Sequence, residues 1–293
     1  MMDSIAETAI ICRGELQRAL RSGRIIVLLA LYAVFSLLVL LVIGWFVNAI
    51  TAQVNQQLTQ MGGEATTAEQ LYEQGHNSVL GFLVSGDAMM IQALQQVPLV
   101  VLMVFKVTLF FLPAYIALMG FDQMSGEVGS RSIRYLAIRA RRASILFGKV
   151  LAQAILLLGL VLTVDLGIFL YAKATNPSFT LPQMGFHLSK FWLAAIVFSM
   201  AYLALTSLCS ALTRSTVLSL ILNLLALFVF WLVDIVGKAD PSKQFLRYFS
   251  PSNYANNLLH PALGQFALSA IAYLGFAAIF FAAAYRVVSA RDI

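Results

Sequence analysis

Six stretches of the sequence are long and apolar enough to cross a lipid bilayer as helices. They lie near residues 25–47, 98–119, 148–171, 188–212, 217–236 and 265–286. A hydrocarbon core about 30 Å thick requires roughly 20 helical residues, and the stretches lack the polar alternation of barrel strands. The sequence therefore predicts an all-α, polytopic membrane protein with six transmembrane helices, organised as a single transmembrane domain over residues 1–293.

The composition agrees with a chain that lies mostly in lipid. Apolar residues make up 60% of the sequence, charged residues 11%, and the mean hydropathy is +0.86. A soluble domain of this length could not bury so much apolar surface in one core. The first stretch and its charged lead, residues 1–24, are too long for a signal peptide, so we expect the stretch to remain as an anchor.

Basic residues are concentrated on one side of the predicted bundle. If the spans alternate, that side carries Arg13, Arg18, Arg21, Arg24, Arg131, Arg134, Arg139, Arg141, Arg142, Lys149, Arg214, Arg286 and Arg291. The opposite side carries Lys173, Lys190, Lys238, Lys243 and Arg247. Because basic residues favour the cytoplasmic side, both termini are predicted to be cytoplasmic. This distribution indicates membrane orientation and not a nucleic-acid partner.

Two kinds of segment lie outside the predicted spans. Residues 1–24 contain an apolar stripe at spacings of three and four, which predicts an amphipathic elbow helix in the inner interface; the alternative is a solvated lead-in. The stripe is formed by Ile5, Ala9, Cys12, Leu16 and Ala19. The outer loops are residues 48–97, which carry acidic residues and no basic side chain, and residues 237–264, whose prolines and asparagines argue against one long helix.

Three charged residues fall inside predicted spans. Counting along the helices places Asp165 and Asp234 near the outer surface of the hydrocarbon core, with Lys106 about eight residues below that surface. An ionisable group in lipid is costly unless it is paired or hydrated. We therefore expect Lys106 to pair with one of the aspartates at the outer mouth, or each side chain to reach the interface alone; the sequence leaves both open.

No familiar catalytic or nucleotide-binding motif is present. The sequence has no GxxxxGK[ST], HExxH, GxSxG or CxxC pattern. His76, His187 and His260 are far apart in sequence, so we predict no metal site. The chain itself is therefore not expected to be an enzyme, to bind ATP through a P-loop, or to hold a cofactor.

The connection between the second and third spans, residues 120–147, is unusually basic. Its central part predicts a short helix with Ile133, Leu136 and Ala137 on one stripe and arginines beside them. Such an element on the inner face is suited to docking a partner protein. The alternative is that its charge simply contacts anionic lipid.

This connection also carries a family resemblance. The stretch FDQMSGEVGSRSIRYLAIRARRASILFGKVLAQ is similar to a segment of type-2 ABC exporter permeases, and the layout is closest to the simple group that includes the membrane subunit of the nitrous oxide reductase copper-processing system. The matching positions are Asp122, Gly126, Glu127, Gly129, Arg142, Ile145, Leu146, Gly148 and Lys149. Ser130 replaces the usual threonine, and Arg139 stands where the family commonly has proline. The segments GELQRALRSGRIIVLL and YFSPSNYANNLL resemble the family's elbow helix and its last outer loop.

The resemblance implies a function and a set of partners. Two permease chains, identical or related, would assemble in a bacterial inner membrane with two copies of a separate ABC ATPase, which alone would use ATP and Mg²⁺. The connection would then be the coupling helix, with Glu127, Gly129, Arg131, Arg134 and Arg142 expected to contact the ATPase. Two alternatives remain. One is a subunit that passes ATP-driven motion to an extracytoplasmic partner through residues 48–97. The other is an ion-coupled secondary transporter, which would be indicated by ionisable residues at mid-membrane and broken helices in corresponding halves.

Overall fold

The structure is a computed structural model, and it describes most of the chain. The described residues are 4–23, 26–38, 41–42, 52, 87–95, 97–130, 132, 135, 138, 140–175 and 180–290. No strand occurs among them, so the prediction of an all-α protein is confirmed.

Nine α-helices follow one another along the described chain. They are α1 Ser4–Arg21, α2 Ile26–Leu38, α3 Ala88–Leu94, α4 Leu99–Gly120, α5 Ser125–Gly129, α6 Arg142–Thr175, α7 Leu181–Leu212, α8 Thr216–Ala239 and α9 Leu263–Ala290. Five of the described helices are long and apolar enough to cross a membrane, or six spans result if the bent pair of α1 and α2 is counted as one. The protein is therefore a multi-pass membrane protein.

Helices α6 and α7 exceed the spans predicted from hydropathy by the most residues. α6 has 34 residues, so it is about 51 Å long and exceeds a hydrocarbon core of about 30 Å. It begins at Arg142, six residues before the predicted span, and its first turns lie beside α1. α7 begins at Leu181, where a capping box between Thr180 and Gln183 supplies partners for the first backbone groups.

Helix α7 is the centre of the bundle. Its apolar segment is 72% buried, whereas the corresponding segments of α8 and α9 are only 11% buried. α7 packs against α4, α6, α8 and α9, and many of its buried positions are alanine or serine, which allow helices to approach closely in a membrane. The apolar surfaces of α8 and α9 are thus left for lipid or for another chain.

The outer end is closed by short helices. Residues 241–259 form three 3₁₀ helices, Pro241–Phe249, Pro251–Tyr254 and Asn256–Leu259, which confirms that no long helix occupies this loop. The Tyr273 hydroxyl donates to the carbonyl of Pro251 at 2.7 Å, and the Ser250 hydroxyl donates to the carbonyl of Phe230 at 3.0 Å. These bonds hold the loop against α9 and α8. Of the predicted outer loop 48–97, only residues 52, 87–95 and 97 lie within the described chain.

Candidate functional site

One end of the bundle gathers the segments that the basic residues predict to be cytoplasmic. α1, α5, the start of α6, the loop after α7 and the end of α9 all meet there. A Cβ atom on Gly129 of α5 would lie 2.8 Å from the carbonyl oxygen of Arg214, which shows how closely α5 approaches the loop after α7. The Arg142 guanidinium donates to the carbonyls of Val288 and Ser289 at the end of α9.

Four charged side chains join three of these segments. Lys149 of α6 places its Nζ 2.7 Å from Glu15 Oε1 of α1 and 2.7 Å from Glu127 Oε1 of α5. Arg18 of α1 lies 3.3 Å from the same two oxygens. We call Glu15, Arg18, Glu127 and Lys149 the inner charge cluster. It connects the amino-terminal helix, the segment between the second and third spans, and the third span itself.

The cluster has a buried centre and an exposed edge. The Lys149 side chain is 2% exposed, and Glu127 is 12% exposed, whereas Arg18 is 68% exposed. A buried ammonium is costly unless paired, so Lys149 requires the two carboxylates that α1 and α5 supply. The position of α5 is therefore coupled electrostatically to that of α1.

Helix α1 also packs closely on α6 beside the cluster. Gly148 has no side chain, and a Cβ atom there would lie 2.9 Å from Ile11 Cβ and 3.0 Å from the carbonyl oxygen of Thr8. The Glu7 carboxylate accepts the backbone N–H of Arg141 at 3.3 Å. The predicted helix is therefore present, but the predicted apolar stripe is not buried along its whole length. Cys12 of that stripe is buried, whereas Ile5 is 83% exposed.

Ser210 of α7 holds the junction between α4 and α5. Its hydroxyl oxygen accepts the backbone N–H groups of Met124 at 2.9 Å and Ser125 at 3.0 Å, and the hydroxyl donates to the carbonyl of Phe121 at 3.0 Å. One turn earlier, the Ser207 hydroxyl donates to Gln123 Oε1 at 3.1 Å. Neither serine is among the predicted site residues, although two serines three residues apart in an apolar helix indicate a polar contact between helices.

Two large side chains project from the basic connection. Tyr135 is 78% exposed and Ile138 is 82% exposed, and their spacing of three places them on one side of a helical turn. Neither belongs to the stripe that the sequence predicts. That stripe (Ile133, Leu136 and Ala137) and the arginines Arg131, Arg134 and Arg139 lie outside the described residues.

The other predicted contact residues have definite positions in the structure. Glu127 faces Lys149 and Arg18. Gly129 is exposed at the end of α5, and Arg142 is half-buried against α9. Gly129 is exposed but lies close to the loop after α7, whereas Glu127 and Arg142 are bonded to neighbouring helices.

The structure does not bring the three predicted outer-mouth charges together. Lys106 Nζ donates to Asn256 Oδ1 at 2.6 Å, in the outer loop. Asp234 is ion-paired with Lys238, one turn further along α8, and lies 3.7 Å from Arg247 Nε. Lys106 is thus bonded to the outer loop, and Asp234 is paired on its own helix. Neither a Lys106–Asp165 pair nor a Lys106–Asp234 pair is present. The Asp165 Oδ2 atom is buried and has no hydrogen-bond partner among the described residues.

Within the described chain, no group of three histidine, cysteine, aspartate or glutamate side chains is arranged to hold a metal ion.

Comparison with known proteins identifies the family. No curated protein matches the sequence. The sequence profile of one family, described as ABC-2 family transporter protein, matches residues 9–293 and so includes every helix discussed above except the first residues of α1. The chain therefore belongs to the ABC-2 family of transporter proteins and is a membrane permease subunit of an ABC transporter.

Proposed function

We propose that this permease is driven by a separate ABC ATPase that docks on residues 120–147 at the cytoplasmic end, and that it exports its substrate. The observation that carries the proposal is the pair Tyr135 and Ile138, both almost fully exposed in a basic segment outside the spans. Apolar and aromatic side chains with this exposure are typical of a protein-binding site, where such residues act as anchors. Arg131, Arg134 and Gly129 would surround this contact.

The inner charge cluster supports a route for the motion. Force applied to Tyr135 and Ile138 would reach α5, which Glu127 links to Lys149 of α6 and to Arg18 of α1. The bonds from Ser210 link the same segment to α7 at the centre of the bundle. Closure of the ATPase around nucleotide can thus bias α1, α6 and α7 together between two discrete arrangements.

The remaining parts of the proposal follow from the family. Two permease chains and two ATPase copies would form the complex, the ATPase would bind ATP and Mg²⁺, and the complex would lie in the inner membrane of a bacterium. The lipid-facing surfaces of α8 and α9, which are largely exposed in the single chain, leave room for a second permease.

The proposal is tested by measuring ATPase binding and permease-dependent ATP hydrolysis in lipid nanodiscs. The double variant Tyr135→Ala/Ile138→Ala should bind the ATPase at least tenfold more weakly, because truncating an anchor of an interface removes about 2 kcal/mol. Tyr248→Ala is the matched control, since Tyr248 is 66% exposed on an outer 3₁₀ helix. Unchanged affinity and hydrolysis in the double variant, or an equal loss in the control, would reject the docking site.

A further inference from the structure

Asp165 of α6 lies level with the middle of the spanning helix α4. On α6, Gln153 is level with Gly120 at the inner end of α4, since a Cβ on Gly120 would meet Gln153 Nε2. Asp165 is twelve residues further along α6, and Thr108 is twelve residues further along the antiparallel α4. Each residue therefore lies about 18 Å from that level along its own helix. Because α4 is about 33 Å long, Thr108 and the neighbouring Asp165 are level with the middle of α4.

Helices α2 and α4, of which α4 packs on α6, supply polar side chains at this level. The Tyr32 hydroxyl of α2 lies 3.4 Å from Thr108 Oγ1 of α4. The rings of Tyr32 and Tyr115 meet edge to face with centroids 5.5 Å apart. We call Tyr32, Thr108, Tyr115 and Asp165 the mid-membrane site. Tyrosines are its other titratable groups, and no cationic side chain of the described residues is paired with Asp165.

The site contains polar atoms with no partner. Asp165 is 5% exposed, and its Oδ2 is buried without a hydrogen bond to any described residue. The Tyr115 hydroxyl is in the same situation, as is the hydroxyl of Ser36, one turn beyond Tyr32 on α2. Orphaned polar groups at this depth cost several kcal/mol and mark binding positions in membrane proteins. A ligand that donates hydrogen bonds and carries positive charge would remove the deficit.

A cavity leads from the cytoplasmic end toward the site. It has a volume of about 100 Å³ and reaches from Glu15 and Lys149 at its inner end to Tyr115 and Leu160 at its deep end. Its walls are mostly apolar, and its ionic lining residues are Glu15, Asp122 and Lys149 at the cytoplasmic end. Asp165 lies five residues beyond Leu160 on α6. The approach thus favours a ligand with an apolar body.

We propose that the mid-membrane site binds a hydrophobic organic ammonium ion, and that this is the class of substrate carried by the transporter; the second statement rests on the proposed function. Asp165 neutralises the ammonium group, and the hydroxyls of Thr108 and Ser36 accept its hydrogen bonds. The faces of Tyr32 and Tyr115 add cation–π attraction. The apolar wall of the cavity receives the carbon skeleton, and movement of Tyr115 connects the cavity with Asp165.

The test measures saturable binding of tritiated 2-phenylethylammonium to the permease–ATPase complex in nanodiscs. The wild-type complex should bind the probe, unlabelled decylammonium should displace it, and decyl sulfate should not. Asp165→Asn should weaken binding at least tenfold, because it removes the negative charge opposite the ammonium, whereas Asp165→Glu should retain most of the affinity. Thr108→Val, which keeps shape and charge, should weaken binding two- to fivefold.

Asp240→Asn serves as the control for a change of charge, since Asp240 lies in the outer loop, paired with Lys243, and should leave binding unchanged. The site is wrong if the wild-type complex shows no saturable binding, if Asp165→Asn binds as wild type does, or if decyl sulfate competes equally. ATPase association and hydrolysis are measured on the same sample. An assembled, hydrolysing complex without binding rejects this site alone, whereas binding by a permease that recruits no ATPase rejects the proposed function alone.

Discussion

At the scale of single residues, Lys149 has the greatest influence on the cytoplasmic end. Its ammonium is nearly inaccessible to solvent and lies 2.7 Å from carboxylate oxygens of two other helices. If Lys149 is removed, Glu15 and Glu127 remain close together with only the exposed Arg18 to compensate them. The loss of one member of a buried ion pair is strongly destabilising because the remaining charge stays desolvated.

Lys149→Met should lower the free energy of unfolding by about 3 kcal/mol. Lys243→Met is the matched control: Lys243 pairs with Asp240 at 3.2 Å, but both side chains are about half exposed, and such pairs contribute about 0.5 kcal/mol. Unfolding by SDS titration in mixed micelles measures both variants. Equal, small losses in the two variants would show that the inner charge cluster is not a buried pair. Adding Glu127→Gln to Lys149→Met should recover part of the loss.

At the scale of elements, the docking of α1 on α6 depends on the absence of a side chain at Gly148. The neighbours of a Cβ at this position are Ile11 and the backbone of Thr8, and backbone cannot move aside as a flexible side chain can. Gly148→Leu should therefore displace α1. Cys12, which is 5% exposed on α1, reports the displacement: in a Cys209→Ala background, maleimide should label it at least tenfold faster.

The control for this prediction is Gly159→Leu on the same helix. A Cβ at Gly159 meets nothing within 4 Å, and leucine is the better helix former by somewhat under 1 kcal/mol. Labelling of Cys12 should not change in this variant. The contact between α1 and α6 would be contradicted if Cys12 reacted at the same rate in both variants.

The short helix α3 depends on Asp87 at its start. The Asp87 carboxylate accepts the backbone N–H groups of Met89 and Met90 and lies 3.2 Å from His260 Nε2 in the last outer loop. The hydrogen bond from Met90 is the main cause of a pKa below the ordinary value for this carboxyl. Because the pKa is lowered, the stabilisation is present above the ordinary carboxyl pKa and is lost as pH falls through the lowered value.

Asp87→Ala should therefore loosen α3, because the cap that bonds its first backbone N–H groups is lost. Hydrogen exchange of residues 88–94 at neutral pH should be faster in Asp87→Ala and nearly unchanged in Asp87→Asn, which keeps an oxygen acceptor. In the wild-type protein the same exchange, corrected for intrinsic rates, should accelerate only on acidification. Equal protection in Asp87→Ala and wild type would show that the cap does not stabilise α3.

At the scale of the whole molecule, hydropathy and charge predict the architecture well, because length and apolarity alone decide whether a helix can span lipid. The same information does not predict contacts between helices. Nothing in the sequence connects Glu15 with Lys149, since these residues meet only after α6 extends beyond the membrane to α1. The relative level of residues on neighbouring helices is likewise not readable from the sequence: Gln153 lies beside Gly120 at the end of α4, and no pattern along either helix indicates that contact.

The central claim is that the cytoplasmic connection around Tyr135 receives an ATPase. Photo-cross-linking tests it most directly, with p-benzoylphenylalanine replacing Tyr135 in one sample and the outer Tyr248 in another, in membranes that contain the active complex. We predict a covalent adduct with the ATPase from position 135 and none from position 248. An active complex that gives no adduct from position 135, or an ATPase adduct from position 248, would contradict the account.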